Sequence, residues 1–276
     1  MNTKISLVTP SYNQASFLEE TIRSVVSQRQ HLHEYFLLDG GSADGSVEIV
    51  KRYNDQIDWW VSEKDNGQSA AIHRGFQRAT GDVLGWINSD DVLLPDALAR
   101  VRATFDADST VDIVVGYLVL IDAASRVISL PRVPTGNNFL GRHGLVQVSQ
   151  QSTFFRRSLY EKVGGLDLSL HCAMDFDLWS RFYAVGAKWG RLPIHLAAFR
   201  KHGDAKGSGN AWWEQYQSEK ALVRERYPQI FRGPVSQRSI NTLYRGIQIL
   251  SGRQLRSAWE SAKWRGKPLA EAFENP

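Results

Sequence analysis

The chain has 276 residues, 42% of them hydrophobic and 22% charged, with a formal net charge of +4. That composition can bury a sizeable core and excludes a disordered or fibrous chain. One cysteine, Cys172, excludes an internal disulfide and a Cys-rich metal site. No apolar run reaches the roughly 18 residues of a membrane span, and the opening MNTKISLVTP enters a strand-like run without a signal-peptide pattern. A cytoplasmic protein is the expectation. The charge is uneven: residues 1–205 carry 21 Lys or Arg against 23 Asp or Glu, whereas residues 206–276 carry 12 against 6.

In chain order, residues 5–8 read as a short apolar strand ending in the turn-forming stretch Thr9-Pro10-Ser11-Tyr12-Asn13. A helix follows, with Ser16 and Glu19 at capping-box spacing and Leu18, Ile22, Val25 and Val26 repeating on one face. A second strand at 35–38 closes on DGGSADG, and a short helix with Val47, Val50 and Tyr53 comes next. The third strand is 58–62, followed by the loop EKDNG and a helix carrying Ile72, Phe76 and Ala79. The fourth begins the stretch 84–95, LGWINSDDVLLP, in which an apolar run meets Asp90 and Asp91. Adjacent carboxylates repel unless a cation or a shared proton lies between them. A divalent ion held by few protein oxygens and by substrate phosphates would satisfy the pair; two solvated acids, one capping the next helix, is the other reading.

Strand, loop and helix thus alternate three times before the fourth strand, which predicts an open, doubly wound, mostly parallel α/β sheet with helices on both faces. Ligands bind beyond the C-terminal strand ends of such sheets. The loops 9–13, 39–44, 65–68 and 88–91 are therefore expected to converge on one crevice. Neither GxGxxG after the first strand nor GxxxxGK[ST] anywhere occurs, which excludes both glycine-loop phosphate cradles.

After a helix at 95–106 the pattern changes to strands at 112–121 and 126–130, a Gly/Asn/Arg-rich loop at 134–144, and a strand within 150–155. A short helix at 158–163 and a turn at 164–167 lead to a helix at 172–185, whose first turn carries Asp175 and Asp177. Acids there also complement a helix dipole. A strand at 191–200 and a Gly/Ser/Lys loop at 201–210 close this part. From 211 onward the chain reads as basic, Trp-bearing helices, amphipathic at 241–249 and 254–263.

Together, ISLVTPSYNQASFLEETIRSVVSQ, FLLDGGSADGS, EKDNGQSAAIHRGFQRATGDVLGWINSDD, QSTFFRRSLYEKVGGLDLSL and MDFDLWSRF resemble family 2 glycosyltransferases across about residues 3–205. The resemblance implies a GT-A domain at 1–205, with a nucleotide-sugar half at 1–110 and an acceptor half at 111–205, followed by a helical C-terminal extension at 206–276. It implies an inverting transfer from a nucleotide-diphosphate sugar, of UDP or dTDP type, to a hydroxyl of a glycan or lipid-linked oligosaccharide, with Mn²⁺ or Mg²⁺.

Position by position, Thr9, Pro10 and Tyr12 match the first nucleotide loop, and Asp39 matches the acid that accepts from a pyrimidine N3–H. Asp65 and Gln68 match the loop beside base and ribose. Asn88, Ser89, Asp90 and Asp91 match the DXD-type motif, with Asp90 as metal ligand, Asp91 as helper or cap, and Asn88 departing from the usual first acid. The general-base position falls on Asp175, with Asp177 as its rival, and His202 matches a position beside the metal. Gln150 and Gln151 are expected to face the sugar or acceptor, and His171 to line the acceptor cleft if it is more than a structural histidine. His195 and Cys172 read as structural, and Trp59 and Trp60 as packing residues. A nucleotidyltransferase would show a basic, Gly-rich first loop, and a non-catalytic sugar-nucleotide binder would have no use for Asp175. The extension suggests a homodimer or a peripheral contact with the inner membrane face; no nucleic-acid partner is expected.

Overall fold

The computed structural model describes residues 2–132, 140–141, 143, 145–146, 148–203, 209–231, 237–250 and 252–273. Most of the loop expected at 134–144, and residues 204–208 of the Gly/Ser/Lys loop, lie outside these.

The expected alternation is present. Strand β1 (Ile5–Ser11), helix α1 (Ala15–Val26), β2 (Glu34–Asp39), α2 (Ser46–Arg52), β3 (Trp59–Ser62), α3 (Gln68–Arg78) and β4 (Val83–Trp86) follow one another. The strands β1 to β4 pair in parallel in the order β3-β2-β1-β4. The chain therefore winds outward from β1 to β3 and then returns to the other side of β1, which opens a crevice at the C-terminal ends of β1 and β4.

The stretch 84–95 holds two strands rather than one. After β4 the chain turns through Asn88 to Asp91 and forms β5 (Val92–Leu93), which pairs antiparallel with β9 (Trp189–Lys201) at the opposite end of the sheet. The second half adds α4 (Ala97–Ala107), β6 (Ile113–Asp122), β7 (Val127–Ser129), β8 (Thr153–Arg156), α5 (Arg157–Lys162) and α6 (Met174–Ala184). The sheet runs β3-β2-β1-β4-β8-β6-β9-β5, with β7 on β6. β8 is antiparallel to β4 and β6, while β9 is parallel to β6.

The core lies on both faces of this sheet because strand side chains alternate. Val8, Phe36, Leu38, Leu84 and Trp86 face Ile72, Phe76 and Trp179 of α3 and α6. Their neighbours Leu7, Tyr35, Leu37 and Val83 face Leu18, Ile22 and Val101 of α1 and α4. Trp59 packs edge-on against Phe36, while the Trp60 indole donates to Asn54 at 2.9 Å. The expected capping box at Ser16 and Glu19 does not form. The start of α1 is instead held from the loop after β2: Ala15 N donates to Asp44 at 2.8 Å and Gln14 N to Ser46 Oγ at 3.2 Å. Glu19 is free to pair with Arg23, Arg52 and Tyr53. A tertiary donor–acceptor set has displaced the local one.

The C-terminal helices are α7 (Asn210–Arg226), α8 (Pro228–Phe231), α9 (Gln237–Leu250), α10 (Arg253–Trp264) and α11 (Leu269–Phe273). Helix α7 caps α6 from outside. Buried Glu219 accepts from the backbone N–H groups of His171, Cys172 and Ala173 at 3.1, 2.8 and 2.8 Å. The Ala173 N–H is one of the donors a helix start leaves unpaired, and the other two belong to the turn leading into it. Burial alone would raise the pKa of Glu219, but the three N–H donors outweigh it and hold the carboxyl below its ordinary range. Its stabilising contribution is then complete above about pH 4.3, the unfolded glutamate value, and is lost as the pH falls through the lower native value. Glu219→Ala is expected to cost about 2 kcal/mol in chemical denaturation at pH 7, and the gap to wild type should narrow in acid. An unchanged midpoint at pH 7 would show that α7 is not latched by this residue.

Candidate active site

The loops after β1, β2 and β4 and the start of α3 enclose a cleft of about 600 Å³ lined by Pro10, Tyr12, Asp65, Gln68, Asn88, Ser89 and Asp90, among others. Gly40 also lines it and shows why the wall is tight. A Cβ there would stand 3.2 Å from an Asp65 carboxylate oxygen and 3.3 Å from the Tyr12 ring, so this position packs best without a side chain. Tyr12 itself is 62% exposed at the lip, a ring face offered to solvent. A second cleft of about 330 Å³ shares Gln68, Asn88 and Asp90 with the first and adds Gln150, Gln151, His171, Asp175 and Trp212. His171 stands exposed on its rim. Asp90 therefore stands where two clefts meet.

Several expected residues lie elsewhere than anticipated. Thr9 is wholly buried and accepts from the Tyr35 hydroxyl at 3.1 Å; it supports the first loop from inside the sheet. Asp39 is 2% exposed, and its two oxygens accept from Gly41 N, Ser42 N, Ser42 Oγ and Ser62 Oγ. An ionised carboxylate offers about four acceptor sites, two on each oxygen; Oδ2 takes three of these donors and Oδ1 only the Ser42 hydroxyl, so Oδ1 keeps room for a further donor. Asp91, expected beside Asp90 as a metal helper, is 0% exposed. Its oxygens accept from Arg200 N, Asn88 Nδ2 and Gln151 Nε2, each at 3.0 Å. Burial first, and Asp90 second, push its pKa well above the ordinary carboxylate range. It is a buried anchor for the loop.

Asp177, the rival base, likewise turns inward. It is 1% exposed and paired with Arg181 at 2.6 Å, and Arg181 also donates to the carbonyls of Val163 and Gly165 at 2.7 and 2.6 Å. It ties α6 to the preceding glycine turn and lines neither cleft. Asp175, two residues earlier on the helix, takes the opposite direction and does line the second cleft.

Asn88 is explained by its neighbours. Its amide donates to Asp91 at 3.0 Å and to Gln150 Oε1 at 3.3 Å, while its oxygen accepts from Gln68 Nε2 at 2.7 Å. An aspartate here would turn two donors into acceptors against a buried carboxylate. A neutral donor at 88 suits this contact with the buried Asp91.

His202 does meet Asp90, with Nε2 3.1 Å from Oδ2. Its side chain is 4% exposed, its ring centroid lies 4.4 Å from that of Phe17, and its Nδ1 is buried without a partner among the described residues. The residues present offer a divalent cation two donors 3.1 Å apart, the Asp90 carboxylate on the cleft wall and His202 Nε2. No group of three or more His, Cys, Asp or Glu able to hold an ion occurs among the described residues. The remaining ligands would be water and phosphate oxygens, the usual arrangement for a hard cation on a phosphorylated substrate.

Two functional residues escape sequence reasoning. Arg200 is fully buried at the end of β9 and donates from Nε to the Asp90 carbonyl at 2.8 Å; an arginine closing an apolar strand was the visible signal. Glu219 sits in a helix of mixed composition and gives no signal at all.

Comparisons with known proteins bear on the family and the fold. The family described as Glycosyl transferase family 2 matches residues 6–164, more than half of the chain. An uncharacterized glycosyltransferase of Mycobacterium tuberculosis is 31% identical over 176 residues, which is 62% of this chain and 65% of that relative. Among solved structures, S. aureus TarS 1-349 in complex with UDP-GlcNAc superposes with a TM-score of 0.61 at 14% identity, over 87% of this chain and 70% of TarS 1-349. Mannosyltransferase PcManGT from Pyrobaculum calidifontis, in complex with GDP-Man and Mn²⁺, gives 0.57 at 17% identity, over 95% and 88%. At these identities the two structures speak for the fold, and the family match speaks for descent. The chain belongs to glycosyl transferase family 2.

Proposed function

We propose that this protein is an inverting, metal-assisted glycosyltransferase that moves one sugar from a UDP- or dTDP-type donor to a hydroxyl of a glycan or lipid-linked oligosaccharide. The observation that carries the reading is the shared wall of the two clefts. Asp90 lines both, and Asp175 lines only the second. A diphosphate held at Asp90 would thus stand between a donor on one side and an acceptor with its base on the other. Nucleotide sugars occupy both fold neighbours, as UDP-GlcNAc in TarS and as GDP-Man with Mn²⁺ in PcManGT.

In the first cleft Tyr12 offers its ring to the base, with Pro10 and Asp65 beside it and Gln68, Asn88 and Ser89 toward the ribose. Asp39 fixes the turn beneath. A base N3–H would be accepted at Oδ1, which receives only the Ser42 hydroxyl. Asp90 and His202 would hold Mn²⁺ or Mg²⁺, which neutralises charge building on the departing diphosphate. In the second cleft Asp175 takes the proton of the acceptor hydroxyl as that oxygen attacks C1 from the face opposite the diphosphate. The C1–O bond to the diphosphate breaks, and one displacement inverts the anomeric centre. Gln151 holds Asp91 in place, and His171 frames the cleft. Trp212, stacked on Tyr216 at 5.1 Å with its indole N–H buried and unpaired among the described residues, gives the acceptor an aromatic wall and a donor. The setting implied is cytoplasmic.

Thermal shift with a panel of nucleotide sugars, with and without Mn²⁺, identifies the donor, because a ligand at 100 times its Kd stabilises by about 2.7 kcal/mol. Asp90→Ala is expected to remove the Mn²⁺-dependent part of that shift and to lower transfer at least about 100-fold; a metal response kept intact would end the assignment. Asp175→Asn is expected to slow transfer about 10²–10⁴-fold with donor affinity within about twofold. Asp177→Asn is expected to act on stability, since breaking a buried pair costs about 3–5 kcal/mol. If Asp177→Asn stops transfer at an unchanged melting temperature while Asp175→Asn stays active, the base is wrongly assigned.

A further inference from the structure

The last long helix is turned inside out. The face that α10 presents to the protein is polar over most of its length, with Trp264 packed on the core at its end. Ser257 Oγ donates to the Leu130 carbonyl at 2.8 Å, Ser261 Oγ accepts from Leu130 N at 2.8 Å, and Glu260 takes both arms of Arg132 at 2.7 Å. The face presented to solvent is apolar: Leu255 is 79% and Trp259 67% exposed, one helical turn apart, with exposed Ala258 and Ala262 beside them. Helix α9, which packs alongside, adds Ile249 at 64% and Leu250 at 90%. A helix of a soluble domain directs such a stripe toward its core, and apolar side chains gathered outside mark an interaction surface.

Charge decides what covers it. Residues 237–267 contain seven Lys or Arg and a single acid, Glu260, whose carboxylate is already paired with Arg132. In a two-fold dimer the same patch would meet itself, cation against cation. A lipid surface with acidic headgroups supplies the opposite charge, and tryptophan among Lys and Arg is the composition of helices lying in the headgroup layer. We infer that the outer face of α9 and α10 docks this protein peripherally on an anionic lipid surface. Among the described residues, no helix is long and apolar enough to cross a membrane. Neither cleft draws a lining residue from α9 or α10, so docking is separable from the chemistry, and its failure would leave the transfer reading untouched.

Flotation of the full chain with vesicles tests this. The bound fraction is expected to be high on phosphatidylglycerol–phosphatidylcholine vesicles at low salt, to fall several-fold at high salt, and to sit at background on pure phosphatidylcholine. Leu255→Ala with Trp259→Ala should abolish flotation, and Lys263→Gln and Arg265→Gln should each weaken it about fivefold. All should keep the wild-type circular dichroism and melting temperature. Two results overturn the inference. One is a chain that stays at the bottom of the gradient at low salt. The other is a Leu255→Ala, Trp259→Ala variant that floats like wild type while a dimer seen by sedimentation falls apart, which would assign the face to a second copy.

Discussion

A buried cation holds the two halves of the molecule in register. Arg200 is 0% exposed, and the cost of an unpaired guanidinium in that position is several kcal/mol, so each of its partners is an obligation. Nε reaches the Asp90 carbonyl at 2.8 Å, Nη1 the Ser125 hydroxyl at 2.8 Å and Nη2 Glu20 at 2.6 Å, while the backbone N–H reaches Asp91 at 3.0 Å. Helix α1, the 88–91 loop, the β6–β7 turn and β9 can satisfy these bonds only together. Strand alternation then places His202, two residues on, along the same side as Arg200. The Phe17 ring touches both, 4.9 Å from the guanidinium and 4.4 Å from the imidazole. The contact between His202 and Asp90 is thus set by the same fixed point that positions Asp90.

The same fixed point allows the Asp pair to be split between two environments. Adjacent carboxylates in one low-dielectric site cannot both stay ionised at little cost. Here one is sent inward, where Arg200 N, Asn88 and Gln151 supply donors, and its neighbour is left on the cleft wall. Asn88 makes the division possible, because its amide donates inward while its oxygen accepts from Gln68 in the cleft. A motif that looks depleted of one acid is, in this chain, a polar network with its donors and acceptors balanced.

The parallel half of the sheet was legible because its signals are local. Apolar runs, turn residues and helical spacing lie within about 30 residues of each other, and their alternation predicts a parallel sheet; the order β3-β2-β1-β4 comes from the structure. The crevice was legible for the same reason, as loops at strand ends. Side-chain direction was not. Thr9 and Asp91 belong to the expected loops, yet each turns inward, because the partners that pull them come from 26 and 109 residues away; Asp39 is drawn in mainly by Gly41 and Ser42 of its own loop. Asp175 and Asp177 are alike in sequence and differ only in which helix face meets Arg181. The β5–β9 pairing inside what read as one strand end, and the Glu219 latch, likewise depend on contacts far apart in the chain.

That distance dependence bears on how the chain divides. A boundary at residue 205 separates composition well, since the basic excess lies beyond it. The second cleft does not respect it: Asp175 and Gln151 stand on one side of the boundary and Trp212 on the other. Glu219, also beyond it, pairs the N–H groups that open the helix on which Asp175 sits. A carboxylate acts as a base only if its helix start is held in one geometry, and here that geometry is supplied from α7. The first part of the basic extension is therefore wall and support for the second cleft. Beyond it, the exposed apolar side chains of α9 and α10 leave the outer face of those two helices for another surface.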